Sequence, residues 1–204
     1  MHDQLVESYR LLPPLRNEKP IILGAPSWQV DNLLDTCINP LLESILNKGY
    51  KVNIRPHPQY IRLFPERIKA LQDRYAKYQN EIVFGLDISD NYVVFSADIL
   101  ITDWSNTAFE FSYCTLRPCI FVNTPMKVMN PNFEQFGLEV VNITHRDKVG
   151  FSLDVSEVSE LNDSVVRLLA NHEDYKEQIV QVLEQYLYYQ EKMEKQEGNT
   201  LLVS

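Results

Sequence analysis

An α/β domain with a mostly parallel sheet and helices on both faces is predicted by three features of the sequence. Short apolar runs alternate with stretches of helical spacing, as βαβ units require. The runs are continuously apolar, as strands covered on both faces are. The chain has 204 residues, 45% hydrophobic and 23% charged, the size and composition of one soluble globular domain.

The elements follow in order. Leu5–Leu12 reads as a short helix ended by Pro13-Pro14. Residues 20–25 (P-I-I-L-G-A), bounded by Pro20 and by Pro26-Ser27, read as a first buried strand. Leu33, Leu34, Ile38, Leu41, Leu42, Ile45 and Leu46 give residues 30–47 one apolar helical face, stopped by Asn47-Lys48-Gly49. Tyr50–Ile54 is a second strand, ending in Arg55-Pro56-His57-Pro58, and residues 61–79 have helical spacing. Glu81–Gly85, Asp98–Thr102 and Pro118–Asn123 read as further strands, with a short helix over Tyr92–Ser96 and a longer one over Ser105–Cys114. Gly137–Val141 is expected as a sixth strand. Two helices close the chain within 153–196. The first, Val155–Ala170, follows Asp154 with Glu157 three residues on, a capping-box spacing. The second, from Asp174 to about Lys195, buries Ile179, Val182, Leu183 and Tyr186. The expected organisation is a single domain over 1–204.

Net charge is −9, concentrated as −7 in residues 151–204, which reads as a solvated helix face. An acidic chain has no general pull on nucleic acid or anionic lipid, so any anion it binds needs a local site. No run approaches the ~20 apolar residues of a membrane span, and no secretory leader is visible at Met1–Gln4. Cys37, Cys114 and Cys119 are odd in number and form neither a C-x-x-C nor a His/Cys cluster, so a disulfide framework and a zinc site are not indicated. Cys114 and Cys119 read as small core residues, and the expected setting is the reducing cytoplasm.

In an open α/β sheet, ligands bind beyond the carboxyl ends of the strands. The residues there are Ser27 and Trp28, then Arg55, His57 and Gln59, then Asp103 to Thr107, then Asn123 and Thr124. Ser105 suits a helix N-cap, and a helix start with small polar residues at Ser105, Asn106 and Thr107 is a ready anion site; the same residues also fit a plain cap. His57 is framed by two prolines, which fix the backbone around it, although a surface histidine in a turn looks the same. Arg55 adds a fork that matches phosphate. Glu110 suits either a pair of ribose hydroxyls or a solvated face. Trp28 and Trp104 fit a pocket wall or core packing, and His2, His145 and His172 sit in incidental contexts. No acidic cluster builds a metal site, and Asp103 alone does not make one.

Three segments, in one order along the chain, carry a family resemblance. R-P-H-P at 55–58 is similar to an R-x-H-P of the CDP-glycerol glycerophosphotransferases. A-D-I-L-I-T-D-W-S-N at 97–106, with the following helix and R-P-C-I-F at 117–121, resembles their A-D-x-L-I-T-D-Y-S-S run and K/R-P-I-I-F strand. A-P-S-W at 25–28 resembles their A-P-T-W strand end. The similarity covers roughly residues 20–145. Trp104, Asn106 and Glu110 stand where the family has Tyr, Ser and Asp.

The resemblance implies the C-terminal, Rossmann-like half of a GT-B fold. It implies a transferase that moves glycerol phosphate from CDP-glycerol to a hydroxyl of a cell-surface polymer, teichoic acid or capsule, and releases CMP. The nucleotide donor would be a substrate, with no cofactor. His57 is the implied catalytic group, its protonated ring facing the leaving CMP phosphate, with Arg55 beside it. Ser105 and Asn106 would hold pyrophosphate and Glu110 the ribose; Ser27, Thr107 and Asp103 would belong to the same nucleotide- and phosphate-binding set, with Asp103 also positioning the loop. An N-terminal GT-B domain, absent from this chain, would supply the base and the polymer or lipid-linked acceptor contacts. The full enzyme would then work in the cytoplasm, at the inner membrane face. Two other readings fit the residues: a GT-B glycosyltransferase or epimerase-like domain using a UDP- or GDP-sugar, and a non-catalytic nucleotide-sensing domain of the same fold.

Overall fold

A computed structural model describes residues 18–86, 92–126, 132, 135 and 141–185. Six strands form one sheet: β1 (Ile21–Gly24), β2 (Lys51–Ile54), β3 (Ile82–Phe84), β4 (Ile99–Thr102), β5 (Cys119–Asn123) and β6 (Gly150–Asp154). Their order across the sheet is β3-β2-β1-β4-β5-β6 and every pairing is parallel. This is the doubly wound, Rossmann-like arrangement.

Consecutive strand residues point to opposite faces. Ile22, Val52, Ile54, Ile99, Ile101, Ile120 and Val122 therefore face one core, and Leu23, Leu100, Cys119 and Phe121 face the other. The first core is covered by α1 (Leu33–Thr36), α2 (Ile38–Ile45), α3 (Pro58–Leu63), α4 (Pro65–Arg74) and α9 (Leu161–Ala170). The second is covered by α5 (Tyr92–Ser96), α6 (Thr107–Thr115) and α10 (172–185). Between β5 and β6 lie α7 (Val141–Thr144) and α8 (Arg146–Val149). In α2, Ile38, Leu41, Leu42 and Ile45 recur at i, i+3, i+4 and i+7 and are all buried. Each such side chain contributes about 1.5–3 kcal/mol.

The structure revises several boundaries. The helix expected over 30–47 breaks at Cys37, whose φ of −146° is not helical. The one expected over 61–79 starts earlier, at Pro58, and breaks at Phe64. A proline disfavours helical geometry in the residue before it, and Pro65 follows Phe64. The expected sixth strand at 137–141 lies outside the described residues except for Val141, which opens α7; the sixth strand is β6. Its first residue must be glycine, since a Cβ on Gly150 would run into the Cys119 carbonyl across the ladder. The helix expected over 155–170 begins as a 3-10 turn (Val155–Glu160), and the Asp154/Glu157 capping box is present. In α10, Ile179 and Val182 are buried as expected, together with Val180. Residues 5–12 and Tyr186 lie outside the described residues.

Candidate functional site

Strand order reverses direction between β1 and β4, and ligands bind at such a switch point, beyond the carboxyl ends of the strands. A cavity of about 470 Å³ opens there. Ala25 and Pro26 beyond β1, residues 55–58 beyond β2, Val94 and Phe95 of α5, and Ser105, Thr107, Glu110, Phe111 and Cys114 on the β4–α6 side line it. Five of the eight site residues expected from sequence thus meet in one hollow: Arg55, His57, Ser105, Thr107 and Glu110.

The other three are placed differently. Asp103 is 0% exposed and Ser27 2%. Asp103 Oδ1 accepts the N–H groups of Ser27 (2.7 Å) and Trp104 (2.8 Å). Its Oδ2 accepts the Ser27 hydroxyl (2.9 Å) and the Leu33 N–H (3.0 Å). Asp103 and Ser27 therefore tie the end of β4 to the end of β1 from inside the protein. Asn32 extends the same tie: its Nδ2 donates to the Ser27 carbonyl and its Oδ1 caps α1 by accepting from Leu34 and Asp35 N–H. Asn106 is exposed at the start of α6 and does not line the cavity.

The helix start also differs in detail from expectation. Asn106 holds the N-cap position of α6 and makes no side-chain cap bond. Ser105, one residue earlier, accepts the Thr107 N–H on its Oγ (3.3 Å) and donates to the Thr107 hydroxyl (3.1 Å). The start of α6, the positive end of its dipole, thus brings the Ser105 and Thr107 hydroxyls to the cavity wall. Glu110 sits one turn further along and is exposed to the hollow.

His57 is the N-cap of α3, and Pro58 is its first helical residue. Proline suits that place because its missing N–H would be unpaired there anyway. His57 Nδ1 accepts the Gln59 N–H at 3.1 Å. The ring proton of this tautomer is therefore on Nε2, which makes His57 a donor while neutral. The helix that carries His57 is anchored by Tyr60, whose hydroxyl donates to Asp35 Oδ1 (2.5 Å), the same oxygen that Arg67 reaches at 2.6 Å.

Neither tryptophan lines the cavity: Trp28 packs on the core, and Trp104 lies under the Arg146 guanidinium. Cys119 is buried, and burial pushes its thiol up to about 12, whereas Cys114 is exposed on the cavity wall rather than in the core. His172 pairs with Glu173 (3.1 Å) and His145 sits at the N-cap of α8, both away from the cavity. His2 lies outside the described residues. Among the described residues, no group of three or more His, Cys, Asp or Glu is placed to hold a metal ion, and no helix is long and apolar enough to cross a membrane. Arg146 and the Asp35–Tyr60 pair were not singled out by sequence, although each touches the frame of the site.

A six-stranded parallel sheet in this order, with polar groups and a helix start gathered at its switch point, defines a doubly wound, Rossmann-like domain with a candidate ligand site. Residues 7–197 match the family model for CDP-Glycerol:Poly(glycerophosphate) glycerophosphotransferase. The chain belongs to that family. Among solved structures, the wall teichoic acid polymerase TagF is similar with a TM-score of 0.51 at 18% identity, over 94% of this chain and 48% of that one. A glycosyltransferase from Rickettsia africae ESF-5 gives 0.56 at 14%, over 88% and 46%. The C-terminal CMP-Kdo binding domain of WaaA from Acinetobacter baumannii gives 0.52 at 14%, over 89% and 95%. At these identities the likeness is one of fold. The chain spans about half the length of the teichoic acid polymerase structures it matches. No curated protein matches it.

Proposed function

We propose that this chain is the donor-binding domain of an enzyme that transfers glycerol phosphate from CDP-glycerol to a hydroxyl of a cell-surface polymer, with release of CMP. One observation carries the reading: in a member of this family, Arg55, His57, Ser105, Thr107 and Glu110 line a single cavity at the switch point of the sheet. Arg55, the His57 Nε2–H and the start of α6 suit the pyrophosphate, and Glu110 suits ribose hydroxyls. The apolar end formed by Val94, Phe95 and Phe111 suits the base.

In the reaction, the acceptor oxygen forms a bond to the phosphorus that bears glycerol. The bond from that phosphorus to the bridging oxygen breaks, and its electron pair leaves with CMP. The hydroxyl proton passes to a base on a second, N-terminal domain, which also holds the acceptor. His57 donates from Nε2 to the phosphate of the departing CMP. The domain's part is positioning and charge stabilisation, the main tools of phosphoryl transfer. No cofactor enters, because the donor is itself a substrate. The acceptor, polymer or lipid-linked, would bring the whole enzyme to the inner face of the membrane.

Calorimetric titration of CDP and UDP, on this chain and on His57→Ala, tests the reading. We expect CDP to bind more tightly than UDP, and His57→Ala to weaken CDP at least roughly tenfold, which is about 1.4 kcal/mol. Preference for UDP would favour a sugar-nucleotide donor. CDP binding untouched by His57→Ala would remove His57 from the phosphates.

A further inference from the structure

Arg146 opens α8, a segment that reads as polar in sequence (His145-Arg146-Asp147-Lys148), yet it is only 5% exposed. Its Nη2 donates to the main-chain oxygen of Asp103 at 2.6 Å, and its Nη1 donates to Asn123 Oδ1 at 3.0 Å. The guanidinium lies 3.7 Å from the Trp104 ring centroid and 4.8 Å from that of Phe121. Trp104 is pinned from its other end, where its Nε1–H donates to the Thr124 carbonyl at 2.9 Å. Asn123 in turn donates to Asp154, the cap of the turn that follows β6. Burial brings the guanidinium's pKa down to about 10, so it keeps its charge at neutral pH.

We propose that Arg146 is a positioning residue for the nucleotide site, fixing the Asp103–Trp104 turn from behind so that Ser105 and Thr107 face the cavity. The inference rests on the donor-site reading above. The Asp103 carboxylate is held from the β1 side by Ser27 and Leu33, and its carbonyl is held from the β6 side by Arg146. The next residue but one, Ser105, is the first on this loop to line the cavity. A planar fork is what the place requires: it reaches two acceptors at once while it sits over an indole ring. A lysine would keep the charge and lose both the second bond and the stack.

Arg146→Lys and Arg146→Met, with the two indole N–H signals followed by NMR and CDP titrated by calorimetry, test the proposal. Trp28→Phe assigns the two signals, since Trp28 and Trp104 are the only tryptophans. In Arg146→Lys the Trp104 signal should shift or broaden while the Trp28 signal stays, and CDP should bind roughly tenfold more weakly. A Trp104 signal in place, with CDP affinity within about twofold of the parent, would overturn it. If Arg146→Met does not fold, Arg146→Lys decides alone. If the parent chain itself fails to bind CDP, the donor-site reading falls, and the Trp104 signal still reports whether Arg146 holds the turn.

Discussion

Two loops bring polar groups to the same cavity by opposite means. The loop beyond β4 is set by a buried charge: Asp103 accepts four hydrogen bonds, three of them from main-chain N–H groups. The loop beyond β2 is set by covalent geometry: Pro56 and Pro58 frame His57, and the side chain it presents is exposed. The first loop concentrates its hydrogen bonds on one fully buried residue. The second spreads small contributions over several residues and leaves its functional group facing solvent. Stability and binding are therefore separable on the β2 side and bound together on the β4 side.

The sharpest way to break this contrast is Asp103→Ala, which leaves four donors without their acceptor. We expect a loss of about 3–5 kcal/mol, read by urea denaturation. A loss below about 1 kcal/mol would show that the hub is not needed. Tyr60→Phe should have an intermediate effect, about 1 kcal/mol, because Arg67 still holds Asp35. This substitution also carries a pH signature. Burial, then the hydrogen bond to Asp35, raises the Tyr60 pKa from 10.0 to about 12. The folded state therefore holds the phenolic proton more tightly than the unfolded one. The stability this contributes is complete below pH 10 and is lost as pH rises towards 12. Denaturation midpoints across that window should fall less steeply for Tyr60→Phe than for the parent. The smallest effect belongs to Pro58→Ala, about 0.4–1 kcal/mol, arising mostly in the unfolded chain. A larger effect would mean that the proline ring makes contacts beyond fixing the backbone.

Much of the architecture was legible because the central strands are short, wholly buried apolar runs, such as Ile99–Thr102. The sixth strand was not. Gly150–Asp154 is half-buried at the sheet edge and contains Gly150 and Ser152, so it lacks the apolar run that marks the others. The break at Phe64 was present in the sequence as Pro65 and was outweighed by the helical spacing on either side. At the site, strand ends told which loops converge, and five side chains do meet. Sequence could not tell which polar groups turn inward. Ser27 and Asp103 look like ligand groups and are internal ties, because burial of a short polar side chain leaves no periodic signal. Arg146 carries no signal for the related reason that a cation among charged neighbours reads as surface, and only the fold lays it over Trp104.

Among the described residues, one edge of the sheet is β3, only three residues long, with Val83 exposed in its middle. An open strand edge is a template on which another chain can add by main-chain pairing, and its capacity scales with its length. Three residues offer too few ladder bonds to hold a foreign strand in register. The brevity of β3 thus works as protection against self-association, at an edge whose apolar side chain would otherwise invite it.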